Sequence, residues 1–121
     1  MKLRIAALSR IKSGPERELV DTYMDRCTAT GRPIGLGPLS ETEIENRALK
    51  TSSDESRALA QTLEPGAKLI LLDERGKALS SRQFASQIER WRDEGAREAV
   101  FCIGGADGHD RTALPQPDLM L

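Results

Sequence analysis

The sequence predicts an α/β fold, with an open parallel sheet and helices on both of its faces. The segments 68–73 and 100–103 carry apolar runs without polar alternation, which is typical of strands buried on both sides. Amphipathic segments alternate with the predicted strands and are joined to them by short loops. This alternation favours a parallel sheet. We expect strand, helix, strand, helix, strand, helix and strand in one domain over residues 1–121.

The first half of the chain begins with a predicted strand at residues 2–8 and a polar loop. A helix is predicted from Pro15, because proline suits a first helical turn, to Gly31, because glycine commonly ends a helix. Its apolar residues are spaced by three and four, which predicts one buried face formed by Leu19, Val20, Tyr23, Met24 and Cys27. A short second strand is predicted at residues 33–39.

Residues 40–63 are polar and are predicted to form a second helix. Its start is acidic, with Glu41, Glu43 and Glu45, and negative charge is favourable at a helix N-terminus. Residues 51–54 interrupt this helix, and Ser53 or Asp54 could cap a second piece of it. A turn at residues 64–66 leads into the strand 68–73.

The third helix is predicted from a capping box formed by Ser80 and Gln83. Phe84, Ile88 and Trp91 follow at spacings of four and three, so they form a buried face that ends before Gly95. Near the end of the chain, residues 119–121 resemble the start of another strand. An apolar strand without a cover exposes an edge. We therefore expect a domain that is incomplete at its C-terminal end.

Composition excludes several classes of protein. Lys and Arg number 18 against 19 Asp and Glu, so bulk charge gives no evidence for nucleic-acid binding. No apolar run reaches the ~20 residues of a membrane helix, and no secretory signal is evident. Cys27 and Cys102 read as small buried residues of a cytoplasmic protein. They lack metal-ligand spacing, so we expect no metal site.

A candidate binding site lies where the last apolar run meets glycine. Gly104, Gly105 and Gly108 follow the strand that ends at Ile103. Ligands of open parallel sheets bind at the carboxyl ends of strands, and glycine lets a ligand approach the backbone closely. Leu72 and Asp73 end another strand, and they lie beside this turn if the two strands are neighbours. A tight turn without a ligand explains the glycines equally well.

The remaining polar candidates have ordinary alternatives. Asp73 could accept a hydrogen bond from a ribose, although capping a turn is its simpler role. His109 and Asp107 are candidates for a general base, although a single histidine in a loop is expected to be exposed to solvent. No dinucleotide-binding glycine pattern follows the first strand, and no P-loop is present. Lys2, Arg4, Arg10 and Lys12 form a basic start that could meet phosphate or could simply be solvated.

Two motifs carry a resemblance to a known family. The first is Leu-Asp-x-x-Gly-Lys-x-Leu-Ser-Ser at residues 72–81, and the second is Ile-Gly-Gly-x-x-Gly at residues 103–108. Together with Trp91, Gly95 and the first strand, they resemble the ribosomal RNA large subunit methyltransferase H family, which are small SPOUT-class enzymes. The likeness covers essentially the whole chain.

The resemblance implies a SPOUT-like fold, S-adenosylmethionine as cofactor and a homodimer. It implies methylation of N3 of a pseudouridine in 23S ribosomal RNA of the assembled ribosome. It also implies that Leu72 and Gly104 line the cofactor pocket, with Gly105 beside them. In the family a further loop, a helix threaded through a trefoil knot and a tail follow residues 119–121. Because this sequence lacks them, we expect the knot-forming C-terminus to be absent and residues 1–121 alone to bind S-adenosylmethionine weakly or not at all.

Two other interpretations remain open at this stage. The chain could be a non-catalytic fragment of that family. It could also be a flavodoxin-like domain that binds a nucleotide, although Ser9 and Arg10 follow its first strand where a phosphoryl receiver would carry acidic residues.

Overall fold

A computed structural model describes residues 1–9, 11–45, 48–105 and 108–121. Over these residues five strands form one parallel sheet in the order β2-β1-β4-β3-β5. The strands are β1 (Lys2–Leu8), β2 (Leu39–Ile44), β3 (Lys68–Leu72), β4 (Glu98–Ile103) and β5 (Leu119–Met120). The helices are α1 (Pro15–Gly31), α2 (Ser52–Ala60) and α3 (Ser81–Asp93). The predicted α/β class and its parallel sheet are confirmed.

Two apolar clusters place the helices on opposite faces of the sheet. On one face Leu59 of α2 packs with Leu71, Val100 and Cys102, none of which is exposed. On the other face Ile88 and Trp91 of α3 pack with Ile70 and Ala99, and Cys27 of α1 contacts this cluster from one side. Successive residues of β3 and β4 therefore point into different clusters, which explains why both strands are apolar throughout.

The predicted second strand was wrong in position. Residues 32–34 form a single 3-10 turn, and Gly35 follows in the left-handed region at a φ of 76°. The strand begins instead at Leu39, which pairs with Leu3, and ends at Ile44, which pairs with Leu8. Proline and glycine favour a turn over a strand here.

The predicted helix over residues 40–63 was wrong in its first half for a related reason. Glu41 and Glu43 lie in β2 and Glu45 directly follows it. Their spacing of two is the strand period, and Arg17 pairs with Glu41 at 2.9 Å across the edge strand. The helix α2 starts only at Ser52, and its cap is Thr51, whose side chain accepts the Asp54 N–H at 3.1 Å.

The predicted single apolar face of α1 was wrong for two of its five residues. Leu19 and Tyr23 are 57% and 59% exposed, whereas Val20, Met24 and Cys27 are half-buried. The helix lies over the edge strand β2, so only a narrow stripe of its surface meets the sheet. Leu19 and Tyr23, four residues apart, form a second stripe that faces away from it.

The capping box of α3 is present as predicted, and it supports a test of helix stability. The Ser80 hydroxyl accepts the Gln83 N–H at 3.1 Å, and the Gln83 side chain accepts the Ser80 N–H at 2.8 Å. We expect Ser80→Ala to lower the free energy of unfolding by about 1 kcal/mol, measured by urea denaturation. Ser86→Ala, at an exposed position inside the same helix, is the control and should not destabilise the protein; equal losses would contradict the cap.

Candidate cofactor-binding site

Two neighbouring strands bring the predicted site residues together. β3 and β4 are adjacent, and Leu72 pairs with Ile103 at their carboxyl ends. Gly104 and Gly105 follow Ile103 directly, so the leucine and the glycines lie at one edge of the sheet. A cavity of about 430 Å³ opens there, and Leu72, Asp73, Ile103, Gly104, Gly105 and His109 contribute to its lining. We call it the strand-end cavity.

The glycine turn, defined here by Gly104, Gly105 and Gly108, forms one wall of the strand-end cavity. The Gly108 N–H donates to the Gly105 carbonyl at 3.0 Å, and Gly108 has a φ of 76°. Side chains occupy the space that a Cβ would need at the other two glycines. A Cβ on Gly104 would lie 3.1 Å from Cε1 of His109, and one on Gly105 would lie 2.6 Å from Oε2 of Glu55. The wall therefore has to be bare backbone.

His109 is buried against this turn, which corrects the expectation that it is exposed. It is 6% exposed, and its ring lies against Gly104. Among the described residues, neither Nδ1 nor Nε2 has a hydrogen-bond partner. A buried polar group without a partner costs about 1–3 kcal/mol. Proteins rarely keep such a group without a role for it.

Asp73 caps a turn at the mouth of the cavity, as its simpler interpretation predicted. Its Oδ1 accepts the backbone N–H of Arg75 at 2.8 Å and the Arg75 Nε–H at 3.2 Å. These hydrogen bonds hold the pKa of the Asp73 carboxyl below its ordinary value, and the nearby Arg75 charge adds to the effect. Asp73 therefore stays ionised and turned toward Arg75.

The ion pair between Asp73 and the Arg75 guanidinium leads to a prediction about the pKa of the Asp73 carboxyl. Because its pKa is lowered in the folded state, Asp73 stabilises the fold above its ordinary pKa of 3.8, and this contribution is lost as the pH falls through the lowered value. We expect Arg75→Gln to raise the Asp73 pKa toward 3.8 while the backbone hydrogen bond keeps part of the shift. A carboxyl ¹³C NMR titration measures it, with Arg82→Gln on α3 as the control. An unchanged Asp73 pKa in Arg75→Gln would contradict this assignment.

Helix α2 packs on the face of the sheet opposite to α3, and its residues support the glycine turn and the segment that follows it. Ser56 is 1% exposed, and its hydroxyl accepts the Asp110 N–H at 2.8 Å. Asp110 in turn accepts the Thr112 N–H at 3.0 Å, which starts a short 3-10 turn. The Thr112 hydrogen bonds lower the pKa of the Asp110 carboxyl. This network anchors the chain directly after His109.

Comparison with known proteins assigns the chain to a family. The family described as "Predicted SPOUT methyltransferase" matches residues 1–121. The chain belongs to this SPOUT methyltransferase family. It is 76% identical to the protein named "Ribosomal RNA large subunit methyltransferase H" of Maricaulis maris, over all of this chain and 78% of that relative. Proteins of the same name are 46% identical in Cereibacter sphaeroides, over all of this chain and 77% of the relative, and 44% identical in Brucella anthropi, over all of it and 78%.

The family assignment agrees with the two motifs that carried the resemblance. The first motif spans the end of β3 and the start of α3, and the second spans the end of β4 and the glycine turn. The two motifs meet at the carboxyl ends of β3 and β4 because these strands are paired. Asp107, the other candidate base, lies outside the described residues.

Sequence reasoning missed the contribution of Glu55 and Ser56 to the candidate site of this SPOUT methyltransferase. They lie about 50 residues before the glycine turn in a polar helix, and no local pattern distinguishes them from solvated residues. Only the packing of α2 against the sheet brings them to Gly105 and Asp110.

Two of the four basic residues at the start of the chain form ion pairs that the structure describes. Arg4 pairs with Glu98 at 3.3 Å with both side chains mostly buried, and Lys12 pairs with Glu43 at 3.6 Å. Arg10 lies outside the described residues.

The Cys102 thiol is buried, which raises its pKa to about 11, so it stays protonated and poorly nucleophilic at neutral pH.

In the described ranges, no group of three or more metal-ligating side chains is found, and no helix is long and apolar enough to cross a bilayer.

Proposed function

We propose that this chain is an S-adenosylmethionine-dependent methyltransferase that acts on N3 of a pseudouridine in 23S ribosomal RNA of the assembled ribosome. The observation that carries the proposal is the meeting of Leu72 and the glycine turn around one cavity in a SPOUT methyltransferase chain. The names of the relatives support ribosomal RNA as the substrate class. Such a substrate would place the reaction in the cytoplasm.

The residues of the strand-end cavity fit S-adenosylmethionine. Its volume of about 430 Å³ falls in the range of small-molecule sites. Leu72 offers an apolar wall for an adenine ring, and Gly104 and Gly105 offer backbone groups that no side chain covers. His109 has two buried nitrogens without partners. The lining also includes Asp73, Glu74 and Arg75, and polar groups placed beside an apolar wall fix the orientation of a ligand in a small-molecule site.

The contribution of this chain to methyl transfer is binding and orientation. When bound, S-adenosylmethionine supplies an electrophilic methyl group on a positively charged sulfur. Leu72, Gly104 and Gly105 would hold it at the sheet edge and exclude water from one side of it. Orientation of this kind can supply several kcal/mol of rate enhancement. The Asp73 carboxylate accepts a hydrogen bond from Arg75, so we assign Asp73 a structural role and no part in proton transfer.

Calorimetry followed by a transfer assay tests the proposed function. The chain is titrated with S-adenosylmethionine and, separately, with flavin mononucleotide. It is then incubated with tritiated cofactor and ribosomes that lack the modification, and the labelled nucleoside is identified by mass spectrometry. The full-length Maricaulis maris relative serves as the reference protein.

Because residues 1–121 form the strand-end cavity by themselves, we expect cofactor binding, contrary to the expectation from the sequence, and a label on N3 of pseudouridine. Cofactor binding without transfer favours the non-catalytic fragment. Binding of the flavin alone favours the flavodoxin-like interpretation. Failure of this chain to bind S-adenosylmethionine under conditions in which the relative does so contradicts the proposal.

We also propose that the chain acts as a homodimer. An apolar groove of about 710 Å³ runs between α1 and α3 over the middle of the sheet, with Ile34, Phe84, Phe101 and Ile103 among its lining residues. Ile34 and Ile103 are 51% and 41% exposed. Exposed apolar patches of this kind mark protein interfaces, and a second copy of the chain would cover this one.

A charge introduced in the apolar groove tests the dimer. Ile34→Glu would bury an unpaired carboxylate at the interface, which is strongly unfavourable. We expect the dissociation constant of the dimer to rise at least ~10-fold, equivalent to about 1.4 kcal/mol, in sedimentation experiments. Ile11→Glu is a matched control because Ile11 is 49% exposed and does not line the groove. A wild-type chain that sediments as a monomer at high concentration would rule out the dimer.

A further inference from the structure

Among the described residues, Ser56 and His109 are the two buried polar side chains, and only His109 lacks a hydrogen-bond partner. Asp73 is satisfied by Arg75, and Ser56 by the N–H of Asp110. His109 is 6% exposed, and both of its ring nitrogens are buried without a partner among the described residues. The proposed mechanism does not use this group.

The His109 ring lies against the wall of the strand-end cavity. Cε1, Nδ1 and Nε2 of His109 lie 3.1, 3.2 and 3.3 Å from the place that a Cβ on Gly104 would take. The imidazole thus fills the side-chain space of the glycine that borders the strand-end cavity, and His109 is itself part of the lining. A ligand that contacts Gly104 lies next to this ring.

We infer that His109 is a cofactor-binding residue of this site, and that a ring nitrogen forms a hydrogen bond with the adenosine half of S-adenosylmethionine. This inference rests on the proposed function. A neutral imidazole carries one donor and one acceptor nitrogen, and ribose hydroxyls both donate and accept, so adenosine suits either tautomer. The bound ligand would supply the partner that the ligand-free fold lacks.

We expect His109 to lower the stability of the ligand-free chain and to raise its affinity for the cofactor. Replacing an unpartnered buried polar group by an apolar one of similar size is neutral or stabilising. A residue that only fills space would instead lose stability and binding together. His109→Leu separates these two cases.

The first experiment uses the fact that the chain contains one histidine. In a sample labelled with ¹⁵N-histidine, long-range ¹H–¹⁵N correlation NMR observes the His109 ring alone. We expect saturating S-adenosylmethionine to shift the ring ¹⁵N signals to those of a single hydrogen-bonded tautomer. Adenosine should reproduce the change, and methionine should not. Ring signals that do not move when calorimetry shows the cofactor bound overturn the inference and leave the proposed function intact.

The second experiment compares variants by calorimetry and thermal unfolding. We expect His109→Leu to keep or raise the melting temperature of the free chain and to weaken cofactor affinity about 10-fold, which corresponds to about 1.4 kcal/mol. His109→Gln retains a donor and an acceptor and should recover part of the affinity. Ser56→Ala is the contrasting control, because Ser56 is buried with a partner, and it should lower the melting temperature.

The outcomes separate the two proposals. An affinity of His109→Leu within twofold of wild type overturns the role of His109 alone. So does a loss of affinity that merely follows a loss of stability. A wild-type chain that does not bind S-adenosylmethionine overturns the proposed function and this inference with it.

Discussion

Gly104→Val is expected to abolish cofactor binding while the chain stays folded. The Cβ of the new side chain would lie 3.1–3.3 Å from three atoms of the His109 ring. The ring is buried and cannot retreat into solvent, so the valine methyl groups are forced into the strand-end cavity. They would cover the backbone that the proposed site leaves bare and take up volume beside Leu72.

The expected loss is at least ~100-fold in affinity for S-adenosylmethionine, or about 2.7 kcal/mol, with methyl transfer below detection. The fold itself should lose about 1–3 kcal/mol, the usual effect of overpacking. Gly66→Ala is the control for general destabilisation. Gly66 has a φ of 84° and no neighbouring atom within 4 Å of a new Cβ, and it precedes β3 at the end remote from the cavity. Unchanged binding by Gly104→Val would remove the glycine turn from the site.

The second large effect is expected from Gly76→Ala, because two backbone segments touch at this glycine. A Cβ there would lie 2.5 Å from C, 2.7 Å from O and 2.8 Å from N of Leu121. Backbone atoms cannot rotate away as a side chain can. The substitution must therefore separate the loop after β3 from the segment around β5.

When the loop after β3 and the segment around β5 separate, the hydrogen bonds that join them around this contact would be lost. The Asp73 N–H donates to the Leu121 carbonyl at 3.0 Å, and the Lys77 N–H donates to the Met120 carbonyl at 2.8 Å. The Leu121 N–H donates to the Leu71 carbonyl at 2.9 Å. This loop contributes Asp73 and Arg75 to the cavity lining, so damage to it reaches the proposed site as well as β5.

We expect Gly76→Ala to lower the free energy of unfolding by about 3 kcal/mol, at the upper end of overpacking effects. Hydrogen exchange should accelerate at the amides of Asp73, Lys77 and Leu121, and cofactor affinity should fall. Glu74→Ala is the matched control, because Glu74 is exposed in the same loop, and it should leave exchange unchanged. Normal protection of the Leu121 amide in Gly76→Ala would show that the close approach does not constrain the loop.

Local patterns were sufficient for most elements of the fold. The unbroken apolar runs in β3 and β4, the Ser80–Gln83 capping box and the proline at the start of α1 are each decided by residues close in sequence. The short final strand was also predicted from its consecutive apolar residues, and the pairing of Leu119 and Met120 with Ile70 and Leu71 confirms it. These features depend on propensity and periodicity, which a sequence displays directly.

The errors arose where two local signals competed. Glu41, Glu43 and Glu45 suit a helix N-terminus by charge, yet their spacing of two suits an edge strand. The pairing of β2 with β1 decided between these interpretations. In α1 the helical spacing of the apolar residues was predicted correctly, but the predicted buried face was wider than the observed contact with the sheet. Leu19 and Tyr23 are therefore exposed. Edge position is a property of the whole sheet and has no local signature.

The sequence by itself determined the fold class, the order of the elements and the family of this chain, because strand apolarity, helix caps and two glycine-containing motifs are written in consecutive residues. Only the tertiary structure decided that Leu72 and Ile103 are paired neighbours, that Glu55 and His109 occupy the side-chain space of Gly105 and Gly104, and that His109 is buried without a partner. The physical reason is that each of these facts depends on which strands pair and on how α2 packs against them. The Leu72–Ile103 pair and the Glu55–Gly105 contact join residues about 30 and 50 positions apart in the chain, a separation at which side-chain periodicity carries no information.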